Sequence, residues 1–185
     1  HIQNLVGRLA AEGSLALGGA PYRGAETTEP DEARKLMLGL DIAQVAVDLA
    51  AAAETLLARD EVEGDDVRVV GFCMGGGLAL LGPTVSDAIC CSVAFYPAMP
   101  WPHFSPDWSR YAGKAALVHL AEHDGPDTVP AVAALGEQIV AAGGSIAVVD
   151  YPGTSHAFFN DARPEVFDAD AAALAWSRTL AFLRE

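Results

Sequence analysis

Residues 67–81, VRVVGFCMGGGLALL, set an apolar, β-branched run against a Gly-Phe-Cys-Met-Gly turn and a small-residue apolar continuation. That succession predicts a buried strand, one sharp turn and a helix, with Cys73 at the apex. Strand–turn–helix units of this kind build parallel sheets covered by helices, so the stretch directs the chain toward an α/β architecture. The turn has the form G-x-nucleophile-x-G. Small residues at Gly71 and Gly75 are expected because the central residue is forced to positive φ and flanking Cβ atoms would crowd the adjoining strand and helix. The strain would hold Cys73 above the sheet edge at a helix N-terminus, where a thiolate is stabilised and the Met74 N–H can face an oxyanion. The competing reading is a buried structural thiol, since free cysteine is among the most buried residue types. That plainer reading is the one adopted for Cys90 and Cys91.

The rest of the chain alternates in the same way. Ile2, Leu5 and Leu9 recur at helical spacing before Gly13, and SLAL (14–17) reads as a short strand. Residues 18–30 carry Gly and Pro without periodicity and read as a loop, followed by a long helical region over about 31–59. After the 67–72 strand, the helix that starts at 75 is expected to stop at Gly82-Pro83. AICCSVAFY (88–96) reads as a strand covered on both faces, AALVHLAEHD (115–124) as a strand running into a loop, and 128–142 as a helix. GSIAVVDY (144–151) predicts a further strand, 152–161 a loop, and 165–184 a final helix. The whole predicts one domain over 1–185, a doubly wound, mostly parallel sheet with its chemistry at the carboxyl ends of the strands.

Composition narrows the partners. The chain has 185 residues, 51% of them hydrophobic, enough for one core and too apolar for disorder. Eleven basic against 25 acidic residues give a formal charge of −14, which repels phosphate backbones and anionic membranes. No nucleic-acid or membrane partner is therefore expected. The apolar runs are too short to span a bilayer and no signal-peptide series opens the chain, so a cytoplasmic protein is expected. Three cysteines, none in a CxxC pair, argue against a disulfide framework, and the histidines of HLAEHD lack a supporting pair for a metal.

A nucleophile on such a turn requires an acid and then a histidine later in the chain. VHLAEHDGPD delivers Glu122, Asp124 and Asp127 near a strand end, and YPGTSHAFFN puts His156 after the next strand. The order Cys73, Asp124, His156 would let His156 take the thiol proton and Asp124 fix its tautomer, while Cys73 attacks a carbonyl. Glu122 and Asp127 compete for the acid's role. His1, His103, His119 and His123 read as surface or strand residues. Trp101, Phe104 and Trp108 lie in a Pro-rich loop after the 88–96 strand, as pocket wall or as packing.

GFCMGGGLALL, VHLAEHDG and the YPGTSHAFF segment together resemble the dienelactone hydrolase family, a cysteine-nucleophile branch of the α/β-hydrolase fold. The likeness runs through nearly the whole chain. It implies Cys73, Asp124 and His156 as a triad that hydrolyses a small ester or enol-lactone without metal or organic cofactor. It also implies strands ahead of residue 1, with a loop that supplies a second oxyanion N–H and a glutamate. The chain opens instead at what looks like the following helix. LGGAPYRG (17–24) stands near the family's Pro-Asp-Leu-Tyr-like segment, where Arg23 approximates an arginine holding a substrate carboxylate. Asn160, four residues after His156, replaces a second such arginine, so reaction class transfers further than substrate. Two other functions fit the same residues: a non-catalytic binding domain of this fold, and a redox-sensing thiol at Cys73, for which no resolving cysteine stands nearby.

Overall fold

The computed structural model describes residues 2–27, 29–99, 101 and 103–185. His1 lies outside the described residues. Four strands, β1 (Val67–Phe72), β2 (Ile89–Phe95), β3 (Ala115–His123) and β4 (Ser145–Ser155), form one parallel sheet in the order β1-β2-β3-β4. Parallel neighbours need crossovers, and helices α4 (Met74–Val85) and α5 (Thr128–Ala141) supply two of them. Helices α1 (Ile2–Ala11), α2 (Pro30–Leu38) and α3 (Ile42–Leu57) precede the sheet, and α6 (Ala169–Leu183) closes the chain.

The sheet is buried on both faces, which is why its central strands read as unbroken apolar runs. Val93, Phe95 and Leu117 point to a cluster with Leu5 of α1 and Ala172 and Ala175 of α6. Their sequence neighbours Ala94, Ala116, Val118 and Leu120 face Leu80 of α4 and Val132, Leu135 and Ile139 of α5. A third cluster, Val45 with Leu78 and Leu81, seats α3 on α4. Among the described residues no single helix is long and apolar enough to cross a membrane; α2 and α3 pass that test only as a pair bent by 82°.

Several sequence expectations are corrected. SLAL forms no strand: residues 14–20 are irregular, and Leu15 and Leu17 are about half exposed. A strand needs a ladder partner, and among the described residues none of the four strands pairs with this segment, although the outer edge of β1 is open. The helical region over 31–59 is two helices, broken at Gly39–Asp41, where the Asp41 side chain caps α3 by accepting from the Gln44 N–H. Helix α4 runs through Pro83 to Val85. Proline in the last turn removes one bond, and Lys114 Nζ donates to the Pro83 and Ser86 carbonyls at 2.6 and 2.9 Å. Strand β4 takes in residues 152–155. It is an edge strand, where Pro152 loses no ladder bond that a neighbour requires. The last helix starts at Ala169 rather than 165, capped by Asp168.

His119 departs furthest from a surface reading. It is a strand residue and fully buried, with Nδ1 2.9 Å from the Tyr151 hydroxyl and Nε2 3.0 Å from Thr179 Oγ1. Burial drives its pKa down to about 3, so it is a neutral core residue whose two nitrogens are both satisfied.

Candidate active site

Cys73 sits between β1 and α4 with φ +54° and ψ −120°, the positive φ that the turn demands. Its backbone is tied on every side. Its N–H donates to the Phe95 carbonyl at 2.9 Å, and its carbonyl accepts from the Gly76, Gly77 and Ala98 N–H groups. These bonds hold a conformation that costs a non-glycine residue on the order of 1–3 kcal/mol.

The glycines divide differently from the motif's symmetry. A Cβ on Gly71 would lie 1.8 Å from the Gly75 carbonyl oxygen, whereas one on Gly75 meets nothing within 4 Å. The close approaches on the helix side fall at Gly76 and Gly77, whose Cβ atoms would meet the Phe95 and Ala98 carbonyls at 2.8 and 2.4 Å. Gly71→Ala is accordingly expected to lose more than about 2 kcal/mol of stability in urea unfolding, while Gly75→Ala stays within about 1 kcal/mol of wild type.

Asp124 follows β3 and is completely enclosed. Its Oδ1 is 2.7 Å from His156 Nδ1 and its Oδ2 accepts from the Ala121 N–H at 2.9 Å. Of the three candidate acids, Asp124 is the one in contact with His156. Glu122 accepts from the Gly153 N–H instead, and Asp127 stands before α5 without capping it. His156 begins the turn after β4, with Ala157 at φ +69° and the Tyr96 ring edge-on at 4.9 Å. With Nδ1 on Asp124, the second ring nitrogen is left to act on the Cys73 thiol, and each of the two side chains shifts the other's protonation.

The electrostatics distinguish this thiol from the others. Burial alone would raise the Cys73 pKa, but the hydrogen bond and charge of His156, with the Met74 N–H, outweigh it and bring the thiol below its ordinary value. The Asp124 hydrogen bond and then the Cys73 bond push His156 up to about 9. Both shifts move the pair toward thiolate and imidazolium. Burial moves the other two cysteines the opposite way, Cys91 up to about 12. An ionised sulfur beside a cationic acid–base group can attack an electrophilic carbon and then protonate a leaving group.

Other sequence candidates lie elsewhere. Arg23, at φ +52°, is paired with Asp48 at 2.8 Å. Asn160 accepts from the Ala162 N–H, and among the described residues no hydrogen bond joins it to Cys73, Asp124 or His156. Trp101 and Phe104 pack with Met74 on the α3–α4 cluster, and the buried Trp101 Nε1 has no acceptor among the described residues; Trp108 packs on Tyr111. Two residues near Cys73 carried no sequence signal of a role. The Tyr22 hydroxyl donates to Met74 Sδ at 3.0 Å, and Tyr96 lies edge-on to His156. Tyr96 directly follows the apolar run of β2, which is the signal that could have found it, whereas Tyr22 lies in an irregular loop that gave none. Among the described residues no group of three His, Cys, Asp or Glu side chains is arranged to hold a metal ion.

A parallel sheet flanked by helices, with this strand–cysteine–helix turn, defines an α/β-hydrolase-like fold. The dienelactone hydrolase family profile matches residues 1–185. Protein usf of Aquifex pyrophilus is 29% identical over 189 residues, covering 100% of this chain and 80% of its own. A Synechocystis sp. protein provisionally named a carboxymethylenebutenolidase is 32% identical over 197 residues, with 96% of this chain and 77% of that one covered. A crystal structure of a provisionally named dienelactone hydrolase from Klebsiella pneumoniae superposes with a TM-score of 0.83 at 26% identity, over 100% of this chain and 80% of that chain. The chain belongs to the dienelactone hydrolase family, which places it among hydrolases of esters and lactones.

Proposed function

We propose that this chain hydrolyses small esters or enol-lactones through Cys73, His156 and Asp124, in the cytoplasm and without a cofactor. The observation that carries the reading is the buried Asp124 carboxylate 2.7 Å from His156, whose other side meets a thiol held at φ +54°. The Cys73 thiolate attacks the carbonyl carbon, and the electron pair moves to the carbonyl oxygen, which the Met74 N–H stabilises. Collapse of that intermediate expels the alkoxide or enolate, which takes the His156 proton, and leaves a thioester on Cys73. Neutral His156 then draws a proton from water, the resulting hydroxide attacks the thioester, and the acid product leaves with Cys73 restored. Enolate and alkoxide leave more readily than an amine, so esters and lactones fit better than amides.

The test is p-nitrophenyl acetate under single-turnover conditions, quenched in acid and read by intact-protein mass spectrometry. An adduct of one acetyl group, localised to Cys73, is expected. Turnover with acetyl on another residue would reject Cys73 as nucleophile, and no turnover at all would favour a binding domain.

A further inference from the structure

A cleft of about 230 Å³ opens between the 21–23 loop and helices α2 and α3, and Tyr22 links it to the Cys73 turn. Tyr22 forms one wall, and its hydroxyl rests on Met74, the residue after Cys73. Leu36, Leu40 and Val45 give it an apolar body. Its polar groups are already engaged with one another. Arg23 donates to both oxygens of Asp48 at 2.8 and 2.9 Å, Gln44 Nε2 donates to Asp48 at 3.0 Å, and Asp41 caps α3. One guanidinium therefore faces two carboxylates, so the cleft carries a net negative charge. The pair is half exposed and adds little to stability, but its charges set the field an entering group meets.

We propose that this cleft takes an uncharged arm of the substrate, and that Asp48 determines this by occupying Arg23, the one cation among the described residues that line it. The inference rests on the proposed hydrolase function and specifies its substrate class: neutral esters or lactones rather than carboxylate-bearing ones. A hydrogen bond from Arg23 holds Asp48 below the usual carboxylate range, so the acid stays charged through neutral pH. An anionic arm must then approach two carboxylates and compete with one of them for the guanidinium.

The probes are mono-4-nitrophenyl adipate and its methyl ester, which differ in the terminal charge and by one methyl group. Wild type is expected to prefer the methyl ester by at least about tenfold in kcat/KM, mostly through KM. Asp48→Asn, an exposed change on α3, frees Arg23 and is expected to cut that preference about tenfold or more. Arg23→Gln in the Asp48→Asn background is expected to restore it. Equal use of both esters by wild type, or an unchanged preference in Asp48→Asn, would overturn the assignment. Calorimetric titration of both esters into Cys73→Ala protein reads the same preference as binding. If hydrolysis fails to depend on Cys73, the function falls, while tighter binding of the acid than of the methyl ester overturns the cleft assignment on its own.

Discussion

Cys73→Ala is expected to lower kcat/KM on p-nitrophenyl acetate and on an enol-lactone by at least about 10⁴-fold, leaving a folded protein. The size follows from what the substitution removes. An intact hydrogen-bonding site without its nucleophile retains only binding and oxyanion stabilisation, which is a small residue of the whole. The fold should survive, because Cys73 already bears a positive φ that alanine tolerates no worse and because its backbone carries four hydrogen bonds of its own. Urea unfolding within about 1 kcal/mol of wild type, together with lost turnover, would separate chemistry from stability. Turnover that persists in the alanine variant would sink the nucleophile assignment. A wild type without turnover would instead make this a binding domain of the hydrolase fold. The same variant should also lose the acetyl adduct, so rate and covalent chemistry report on one atom.

Some features were legible because their causes are local. A cysteine between glycines after a β-branched run needs no distant partner to announce a strained turn, and the structure places Cys73 at φ +54°. Asp124 and His156 were readable by strand order, although only the structure distinguishes Asp124 from Glu122 and Asp127, since that choice depends on a bulged strand end and a turn 32 residues away. Other features have causes that sequence windows do not contain. The need for glycine shifts from Gly75 to Gly76 and Gly77 because the crowding atoms belong to the end of β2 and the residues after it. SLAL has strand composition, but it does not reach the open edge of β1 and stays irregular. Helix α4 continues past Pro83 to Val85, and a lysine 31 residues on satisfies the Pro83 carbonyl in the last turn. His119 reads as an ordinary polar strand residue until Tyr151 and Thr179, from β4 and α6, converge on it.

Tyr22 shows how a local misreading can hide a functional neighbourhood. Read as part of a glycine-rich loop, it has no role. In the fold it joins the 21–23 loop to Met74, and so brings the α2–α3 cleft to the edge of the Cys73 turn. Arg23 seemed the residue of interest in that loop, but its guanidinium is spent on Asp48. Position and availability are separate properties of a side chain, and only the first can be approximated from sequence.

Alkylation of Cys73 by iodoacetamide gives the second large effect, because it reads the thiolate directly. With the thiol lowered and His156 at about 9, the ion pair persists from the depressed thiol value up to about pH 9. Wild type should therefore react rapidly at pH 6, where a free thiol of pKa about 8.5 is only about 0.3% ionised. His156→Ala removes the hydrogen bond and the charge that lower the thiol, and leaves the burial that raises it. The rate at pH 6 is expected to fall at least about tenfold in the variant, part of the thiolate gain being offset by the weaker nucleophilicity of a low-pKa thiolate. As pH passes about 9 His156 loses its proton and the advantage of wild type should shrink, while the variant's thiol, held up by burial, ionises only at higher pH. Hydrolysis should fall on both sides: in acid as the thiolate takes a proton, and above about 9 as the leaving group loses its proton donor. Equal alkylation rates for wild type and His156→Ala at pH 6 would show that His156 does not ionise Cys73, and the proposed division of labour between them would fall with it.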